Sequence, residues 1–298
     1  MPDLDETTPL GAEIARDNRR LRRLQGSSFP RPVNTRIFTV ANQKGGVGKT
    51  TTTVNIAAGL AKAGLRVLVI DIDPQGNAST ALGVPHHAEV DSVYDVVIND
   101  YELKDVVQDC PDLSNLRCAP ATIHLAGAEI ELVSLVAREQ RLARALNRYL
   151  RECEEQDERV DYVFIDCPPS LGLLTVNAFV AAGEVLIPIQ CEYYALEGLS
   201  QLLSNIELIQ KHLNPELAVS TILLTMFDGR TNLASQVAED VREHFPEQVL
   251  NAAIPRSVRI SEAPSYGQTV ITYDQASSGA LSYLEAAEEI AERGAKSE

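Results

Sequence analysis

The sequence predicts an α/β protein built on a mostly parallel, twisted sheet with helices on both faces. Near-continuous apolar runs recur along the chain, as expected for strands that are buried on both faces. Helical patterns separate these runs, and strands that alternate with helices form crossover units and a parallel sheet. A glycine-rich turn joins the first run to the first helix and supports the same class. The runs cover residues 37–42, 66–71, 162–166, 184–190 and 219–227.

The composition fits a globular chain of this class. With 298 residues, of which 45% are hydrophobic and 23% charged, the chain is long enough to bury a full core. It contains no apolar run of about 18 residues, so we expect no membrane span, and its first residues lack the order of a signal peptide. The five cysteines are never spaced as C-x-x-C, which favours a reduced, cytoplasmic protein.

The first helix opens on residues 44–51, which read Lys-Gly-Gly-Val-Gly-Lys-Thr-Thr. Glycines let the backbone approach phosphate oxygens, and the following helix directs the positive end of its dipole toward them. In such a loop Lys49 faces the β and γ phosphates, and the hydroxyl of Thr50 binds Mg²⁺. The sequence therefore predicts a P-loop NTPase-like fold with a triphosphate site. Its predicted binding residues are Lys44, Gly45, Gly46, Val47, Gly48, Lys49, Thr50 and Thr51.

The elements after this loop continue the alternation. The helix predicted over residues 50–63 stops at Gly64, a residue suited to the left-handed position after a helix. The apolar run at 66–71 then predicts a buried strand. A later helix is predicted between the strands at 184–190 and 219–227, because apolar side chains there share one helical face. These side chains are Leu199, Leu202, Leu203, Ile206, Ile209 and Leu213.

Carboxylates stand at the ends of two predicted strands. Asp71 and Asp73 follow one apolar run, and Asp166 ends the run at 162–166. Ligands of open parallel sheets bind beyond the carboxyl ends of the strands, so we expect these side chains beside the phosphate loop. Asp166 is placed like the aspartate that holds Mg²⁺ in P-loop proteins, directly or through water.

The phosphate loop departs from the usual pattern, because Gln43 stands at its first glycine position and Lys44 follows. This form resembles the deviant Walker A motif of the ParA/MinD family of dimeric ATPases. Residues 73–77, Asp-Pro-Gln-Gly-Asn, are similar to the chromosomal ParA or Soj branch rather than to MinD. The resemblance extends from about residue 36 to 290. It rests on six blocks in family order, at residues 41–57, 71–80, 164–178, 188–199, 223–234 and 254–267.

The resemblance implies ATP and Mg²⁺ as cofactors and a catalytic set of Lys44, Lys49 and Asp73. Lys44 would reach across a dimer to the partner's nucleotide, where a cation can stabilise charge on the transferred phosphoryl group. Asp73 would orient the attacking water. The implied metal residues are Thr50, Asp71 and Asp166.

The resemblance also places residues 254–260 against the adenosine. Pro255 and Arg256 would lie beside the base, and Met226 would line the same pocket. Ser257 stands where relatives commonly carry asparagine.

Binding to nucleic acid has to overcome the overall charge. The formal charge of −16 and the pI near 4.8 are opposite to those of a usual DNA-binding domain. By the resemblance, sequence-independent contacts with double-stranded DNA fall on Arg230 and Arg259. Charges are screened beyond roughly 10 Å at physiological salt, so a local basic patch can still bind phosphates. A dimer doubles these cations on one face, which favours DNA binding only when ATP has closed the dimer.

We expect residues 36–298 to form a single deviant Walker A ATPase domain behind a basic N-terminal tail, residues 1–35. Residues 11–36 hold seven arginines against Glu13 and Asp17. This segment could be flexible or partly helical, and it could contact DNA, a membrane surface or a partner protein. It is too short for a separate helix-turn-helix domain, so operator-specific repression is not expected.

Three other classes of protein share part of this pattern. A MinD-like membrane-cycling ATPase would carry a basic amphipathic helix at its C-terminus, whereas residues 284–298 are acidic. An iron–sulfur reductase would need cysteines placed to bridge a cluster, and Cys167 is more easily a small core residue. A ligase or synthetase shares the phosphate site, but no further block points to a carboxylate or amine substrate.

The favoured interpretation is a DNA-segregation ATPase for a chromosome or a plasmid. ATP would join two subunits into a sandwich that binds DNA nonspecifically. A ParB-like centromere-binding protein would stimulate an otherwise weak hydrolysis and cause release. Such a protein would be cytoplasmic and nucleoid-associated, without stable membrane association.

Overall fold

The computed structural model describes residues 8–193 and 195–296, and within them the chain forms an eight-stranded sheet. The strand order is β3-β4-β2-β5-β1-β6-β7-β8, and every neighbouring pair is parallel except β3 with β4. The mostly parallel α/β sheet predicted from the sequence is therefore confirmed. The strands are β1 (Arg36–Val40), β2 (Val67–Asp71), β3 (Gln108–Asp109), β4 (Leu116–Ala119), β5 (Tyr162–Asp166), β6 (Glu184–Gln190), β7 (Ala218–Phe227) and β8 (Val249–Pro255).

Helices connect the strands and cover both faces of the sheet. The helix after the phosphate loop ends before Gly64, which has a φ of +93° as predicted for that position. The helices are α1 (Pro9–Gly26), α2 (Lys49–Lys62), α3 (Asn77–Ala81), α4 (Val93–Asn99), α5 (Leu103–Val106), α6 (Leu125–Glu131), α7 (Arg141–Glu155), α8 (Leu173–Ala181), α9 (Ala195–His212), α10 (Asn232–His244), α11 (Val258–Glu262), α12 (Val270–Tyr273) and α13 (Ser278–Lys296). Short 3₁₀ turns span Leu132–Ser134, Arg138–Gln140 and Ala263–Tyr266.

The side chains of β5 alternate between the two layers of the core. Tyr162 and Phe164 belong to the cluster formed with α2 and α13, whereas Val163 and Ile165 belong to the cluster formed with α7 and α8. Further along the sheet, β6 and β7 pack against α9 and α10 in a third cluster. Burial on both faces explains why β5 is a continuous apolar run in the sequence.

Three strands are not predicted from the sequence. The edge strand β3 and its neighbour β4 span only two and four residues, and β8 at the other edge interrupts its apolar run with the exposed Asn251. Short or half-exposed strands leave a weak periodic signal, which is why pattern reasoning misses them.

The basic N-terminal segment contains α1, which packs against α13 at the other end of the chain. Arg20 donates two hydrogen bonds to the carboxylate of Glu285, at 2.9 and 2.6 Å, and Leu24 is buried in the α2–α13 cluster. Residues 1–7 of the predicted tail lie outside the described residues. Within the described part of the chain, no helix is long and apolar enough to cross a membrane.

Candidate nucleotide-binding site

The phosphate loop joins the carboxyl end of β1, in the middle of the sheet, to the N-terminus of α2. Gly48 caps α2 with a φ of +88°, a conformation that favours glycine, and it leaves the first N–H groups of the helix unpaired by any side-chain cap. Lys49 is the first helical residue and is buried, with its Nζ 3.4 Å from the carbonyl oxygen of Lys44. Burial lowers the pKa of Lys49, while the carboxylate of Asp166 opposes that effect. The loop therefore presents backbone donors and one inward-facing lysine around a space suited to phosphate.

Asp166 ends β5 directly beside the loop and is fully buried. Its Oδ1 accepts a hydrogen bond of 3.0 Å from the hydroxyl of Thr53, whereas its Oδ2 has no partner among the described residues. Burial raises the pKa of Asp166, and the neighbouring charge of Asp71 raises it further. A buried carboxylate oxygen without a partner fits a divalent cation or its bound water, which would offset both effects. The residues present therefore fit Mg²⁺ at this position.

The two aspartates after β2 have different surroundings from Asp166. Both carboxylate oxygens of Asp71 are engaged, since they accept hydrogen bonds from the N–H of Asp73 and from the N–H and hydroxyl of Ser79. The carboxylate of Asp73 accepts one hydrogen bond, from the N–H of Gln75 at 3.0 Å. Burial raises the pKa of Asp71 despite these donors. Of the predicted metal residues, Asp166 thus carries the carboxylate oxygen that is free for a cation, and the metal role of Asp71 stays a prediction.

A cavity of about 490 Å³ opens next to the loop, between the ends of β7 and β8. It brings together the three residues expected at the adenosine, Met226, Pro255 and Arg256, with Gly48 and Thr51 of the loop. Met226 has a φ of +50° where the β7–β8 register shifts, an unusual backbone for methionine that turns the end of β7. The cavity is wide enough for a nucleoside and continuous with the phosphate loop.

Lys44 lies on the rim of the loop instead of inside it. Its side chain is 41% exposed, and its Nζ lies 2.7 Å from Oε2 of Glu192, which follows β6. Arg256 approaches the other oxygen of the same carboxylate at 3.7 Å. The hydrogen bond from Lys44 lowers the pKa of Glu192. Two cations of the predicted site are therefore gathered around one exposed carboxylate.

The two arginines expected to contact DNA lie outside this cavity. Arg230 is 89% exposed and forms a bidentate pair with Asp228, which lowers the pKa of that carboxyl to about 2. Arg259 pairs with Glu262 at 3.1 Å and with Asp274 at 3.3 Å. Each exposed arginine thus has an acidic partner within the chain.

Sequence reasoning missed several residues that support the site. Thr53 fixes one oxygen of Asp166, Ser79 satisfies Asp71, and Glu192 holds Lys44. The hydroxyl of Thr225 on β7 donates to the carbonyl of Val47 and so ties the loop to the sheet. Of these, only Thr53 carries a local signal, because it lies one helical turn after Lys49.

A glycine-rich loop at a helix N-terminus, an acidic strand end beside it and an adjoining cavity define a P-loop nucleotide-binding protein. Residues 35–219 match the family described as an AAA domain. The chain is 53% identical over 259 residues to the sporulation initiation inhibitor protein Soj of Bacillus subtilis, a match that covers 87% of this chain and 99% of Soj. It is 50% identical to the chromosome partitioning protein ParA of Myxococcus xanthus, over 87% of this chain and 88% of that protein.

Among solved structures, the chain is similar to cobyrinic acid a,c-diamide synthase from Mycobacterium smegmatis with bound ADP and magnesium. The two are 37% identical with a TM-score of 0.72, over 86% of this chain and 94% of that chain. Taken with the identities to Soj and ParA, the chain belongs to the ParA/Soj family of chromosome-partitioning ATPases.

Proposed function

We propose that this ATPase segregates DNA by a nucleotide-controlled dimer cycle. MgATP joins two subunits, the dimer binds double-stranded DNA without sequence preference, and a ParB-like partner stimulates hydrolysis and release. The observation that carries the proposal is the placement of Lys44, an exposed cation on the rim of the phosphate loop in a chain 53% identical to Soj. A lysine directed out of its own phosphate cradle is available to a nucleotide held by a second subunit.

Within one subunit, the phosphate loop and Lys49 hold the triphosphate, and Met226, Pro255 and Arg256 hold the nucleoside. Thr50 and Asp166 would hold Mg²⁺, which when bound screens the charge of the phosphates. The M. smegmatis structure with ADP and magnesium supports this cofactor pair.

Dimerisation then requires Lys44 to exchange partners. In the single chain its charge is matched by Glu192, and an exposed ion pair of this kind contributes little to stability. The triphosphate of a second subunit carries more negative charge than one carboxylate. The exchange is therefore favourable when the second subunit holds ATP and less so when the γ-phosphate has left.

Asp73 is proposed to position the attacking water. One hydrogen bond, from the N–H of Gln75, holds its carboxylate, and Asp73 lies on the loop after β2 at the same sheet edge as the phosphate loop. A water oriented by a carboxylate attacks more readily than a free one, which suits the hydrolytic step.

DNA binding is proposed to use Arg230 and Arg259 from both subunits. Both are exposed, and both must exchange an internal carboxylate for a DNA phosphate. With a formal charge of −16, one subunit has little affinity for DNA, and pairing the cations of two subunits raises the local positive charge. Association with the nucleoid follows from such binding.

A synthase that uses ATP to activate a carboxylate is the second candidate. The observation in its favour is the 37% identity to the M. smegmatis protein named as a diamide synthase. A DNA-segregation ATPase releases phosphate from ATP without any carboxylate substrate, whereas a synthase requires one.

Retention of DNA with ATP, with ADP and without nucleotide tests the proposal. We expect retention of unrelated DNA fragments with ATP alone, accompanied by dimerisation. Retention that is equal in all three conditions, or none with ATP, would contradict the cycle.

A further inference from the structure

Helix α6 carries aliphatic side chains on two opposite faces. Leu125, Ala128 and Leu132 are buried against the core. The opposite face continues through the following turn and forms an exposed aliphatic ridge. The ridge consists of Ile123, Ala126, Ile130, Val133 and Val136, and its four large members are 60%, 79%, 58% and 88% exposed in chain order.

The ridge residues recur at the spacing of one face of a helix. Ile123, Ala126, Ile130 and Val133 stand at i, i+3, i+7 and i+10, the spacing of one helical face. Ala126 and Ile130 lie within α6, Ile123 lies in the turn before it and Val133 in the 3₁₀ turn after it. A helix that is apolar on two faces usually has a second surface to cover, and contiguous exposed aliphatic side chains mark interaction sites.

The turn after the ridge is held in a fixed, strained conformation. Ala137 has a φ of +51°, which is unfavourable for a residue with a Cβ. Arg138 donates from Nη1 to the carbonyl of Val133 at 2.8 Å, and Asn177 of α8 donates to the carbonyl of Arg138 at 2.8 Å. These bonds fix the backbone on both sides of Val136, which is 88% exposed.

Acidic side chains beside the ridge are engaged within the chain. Glu129 accepts hydrogen bonds from the N–H groups of Leu173 and Leu174, Glu131 accepts from the hydroxyl of Tyr94, and Glu139 pairs with Arg138 at 2.8 Å. The ridge therefore offers an aliphatic surface whose neighbouring carboxylates already accept hydrogen bonds within the chain, and one of them, Glu139, is paired with a cation.

The ridge lies where the parallel strands have their carboxyl ends, the same end of the sheet that carries the nucleotide site. It follows the carboxyl end of β4, and α7 then returns the chain to the opposite end before β5 begins. Glu129 also links it to the N-terminus of α8, which directly follows the loop after Asp166. Lys44 and the ridge therefore both lie at the carboxyl ends of the parallel strands.

We propose that the aliphatic ridge is part of the surface by which two copies of this chain associate in the ATP state. The inference rests on the proposed dimer and names surface beyond Lys44 that forms it. A second copy is the fitting occupant because the ridge lies at the same end of the sheet as Lys44, which has to reach the second subunit. An uncharged contact also adds nothing to the repulsion between two chains of formal charge −16.

Thiol footprinting tests this without disrupting the surface. All five native cysteines are buried, so an Ile130→Cys variant has one accessible thiol. Its reaction with a maleimide should slow at least about fivefold when MgATP is added, because an interface excludes the reagent. The matched control is Leu208→Cys, an exposed position near the end of α9 at the opposite edge of the sheet, whose reaction should not change.

A second measurement uses Val136→Glu, which places a charge in the ridge. We expect the ATP-dependent dimer to weaken by roughly tenfold or more, while nucleotide affinity of the monomer stays as in the unaltered protein. Suppose that the unaltered protein dimerises with MgATP, but labelling of Ile130→Cys does not slow and Val136→Glu dimerises as tightly as the unaltered protein. This result would overturn the inference about the ridge and leave the proposed dimer cycle standing. An unaltered protein that remains monomeric with MgATP would overturn the proposed dimer cycle as well. Loss of partner stimulation with an intact dimer would assign the ridge to another protein and also overturn it.

Discussion

At the scale of single residues, the two lysines of the phosphate loop differ in their surroundings. Lys49 is buried at the start of α2 and faces the phosphate space, whereas Lys44 is exposed and paired with Glu192. The inward-facing Lys49 and the outward-facing Lys44 are only five positions apart in the sequence. Their contributions to nucleotide binding and to dimerisation should therefore be separable.

Replacement of each lysine by alanine tests that separation. Lys49→Ala should weaken ATP binding by roughly 10- to 100-fold, since a charge-assisted hydrogen bond contributes about 1.5–3 kcal/mol. Lys44→Ala should leave monomer affinity close to that of the unaltered protein and lose ATP-dependent dimerisation and hydrolysis. Nucleotide titration combined with molar-mass measurement distinguishes the two variants. An equal loss of ATP affinity in both would rule out a trans-acting Lys44.

Asp73 provides a second prediction at this scale. Asp73→Ala should bind MgATP but hydrolyse it roughly 10²- to 10⁴-fold more slowly, because water orientation by a carboxylate is lost. The dimer should accumulate and remain on DNA. Phosphate release and DNA retention measure both effects, with Asp112→Ala, a distant loop carboxylate that accepts from Gln268, as the control. Turnover at the parental rate would show that Asp73 has no part in hydrolysis.

At the scale of elements, α1 and α13 join the two ends of the chain. Arg20 and Arg23 of α1 pair with Glu285 and Glu288 of α13, and α13 itself packs against α2 and β8. Some arginines of the N-terminal segment therefore form ion pairs within the molecule. These pairs support the helix that backs both the phosphate loop and the nucleoside cavity.

The bidentate pair between α1 and α13 predicts a measurable stability. Arg20→Ala should lower the free energy of unfolding by about 1–2 kcal/mol, since the pair is half-buried and charge-assisted but still reached by solvent. Arg22→Ala, on the same helix but exposed, should change it by less than about 0.5 kcal/mol. Urea unfolding of both variants measures the difference. Equal effects would show that the pair contributes nothing specific.

At the scale of the whole molecule, the net charge determines under which conditions the protein can bind DNA. The chain carries −16 overall, and its exposed arginines at the proposed DNA surface are balanced by nearby carboxylates. A nonspecific contact with phosphates is strongly dependent on salt, because binding releases counterions. The dimer is therefore expected to bind at low salt and to lose affinity steeply as salt is raised.

Substitution of the two arginines tests this expectation. Arg230→Ala or Arg259→Ala should weaken binding equally on unrelated sequences, leave dimerisation intact and reduce the salt slope by about one unit per lost contact per subunit. The competing site is the exposed basic face of α1. Arg16→Ser with Arg22→Ser tests it while keeping Arg20 and Leu24, which hold α1 in place. DNA titrations at several salt concentrations compare all variants, and loss of binding only in the α1 pair would reassign the DNA surface.

Local pattern was enough to predict the phosphate loop, the buried strands and Asp166 at a strand end. Each depends on residues that are neighbours in sequence, such as the loop between β1 and α2, or on the continuous burial of a strand such as β5. The strands β3 and β4 have no such signal, because they span only two and four residues, too few to show a periodic pattern.

Only the folded chain decided which charged groups are free and which are engaged. Asp71 and Asp166 look alike in sequence, yet Ser79 satisfies the first and one oxygen of the second has no described partner. Lys44 meets Glu192 across 148 positions, and the aliphatic ridge is recognised only when its exposure is known. Hydrogen bonds, ion pairs and burial at these sites join distant segments, so they depend on packing that no local pattern encodes.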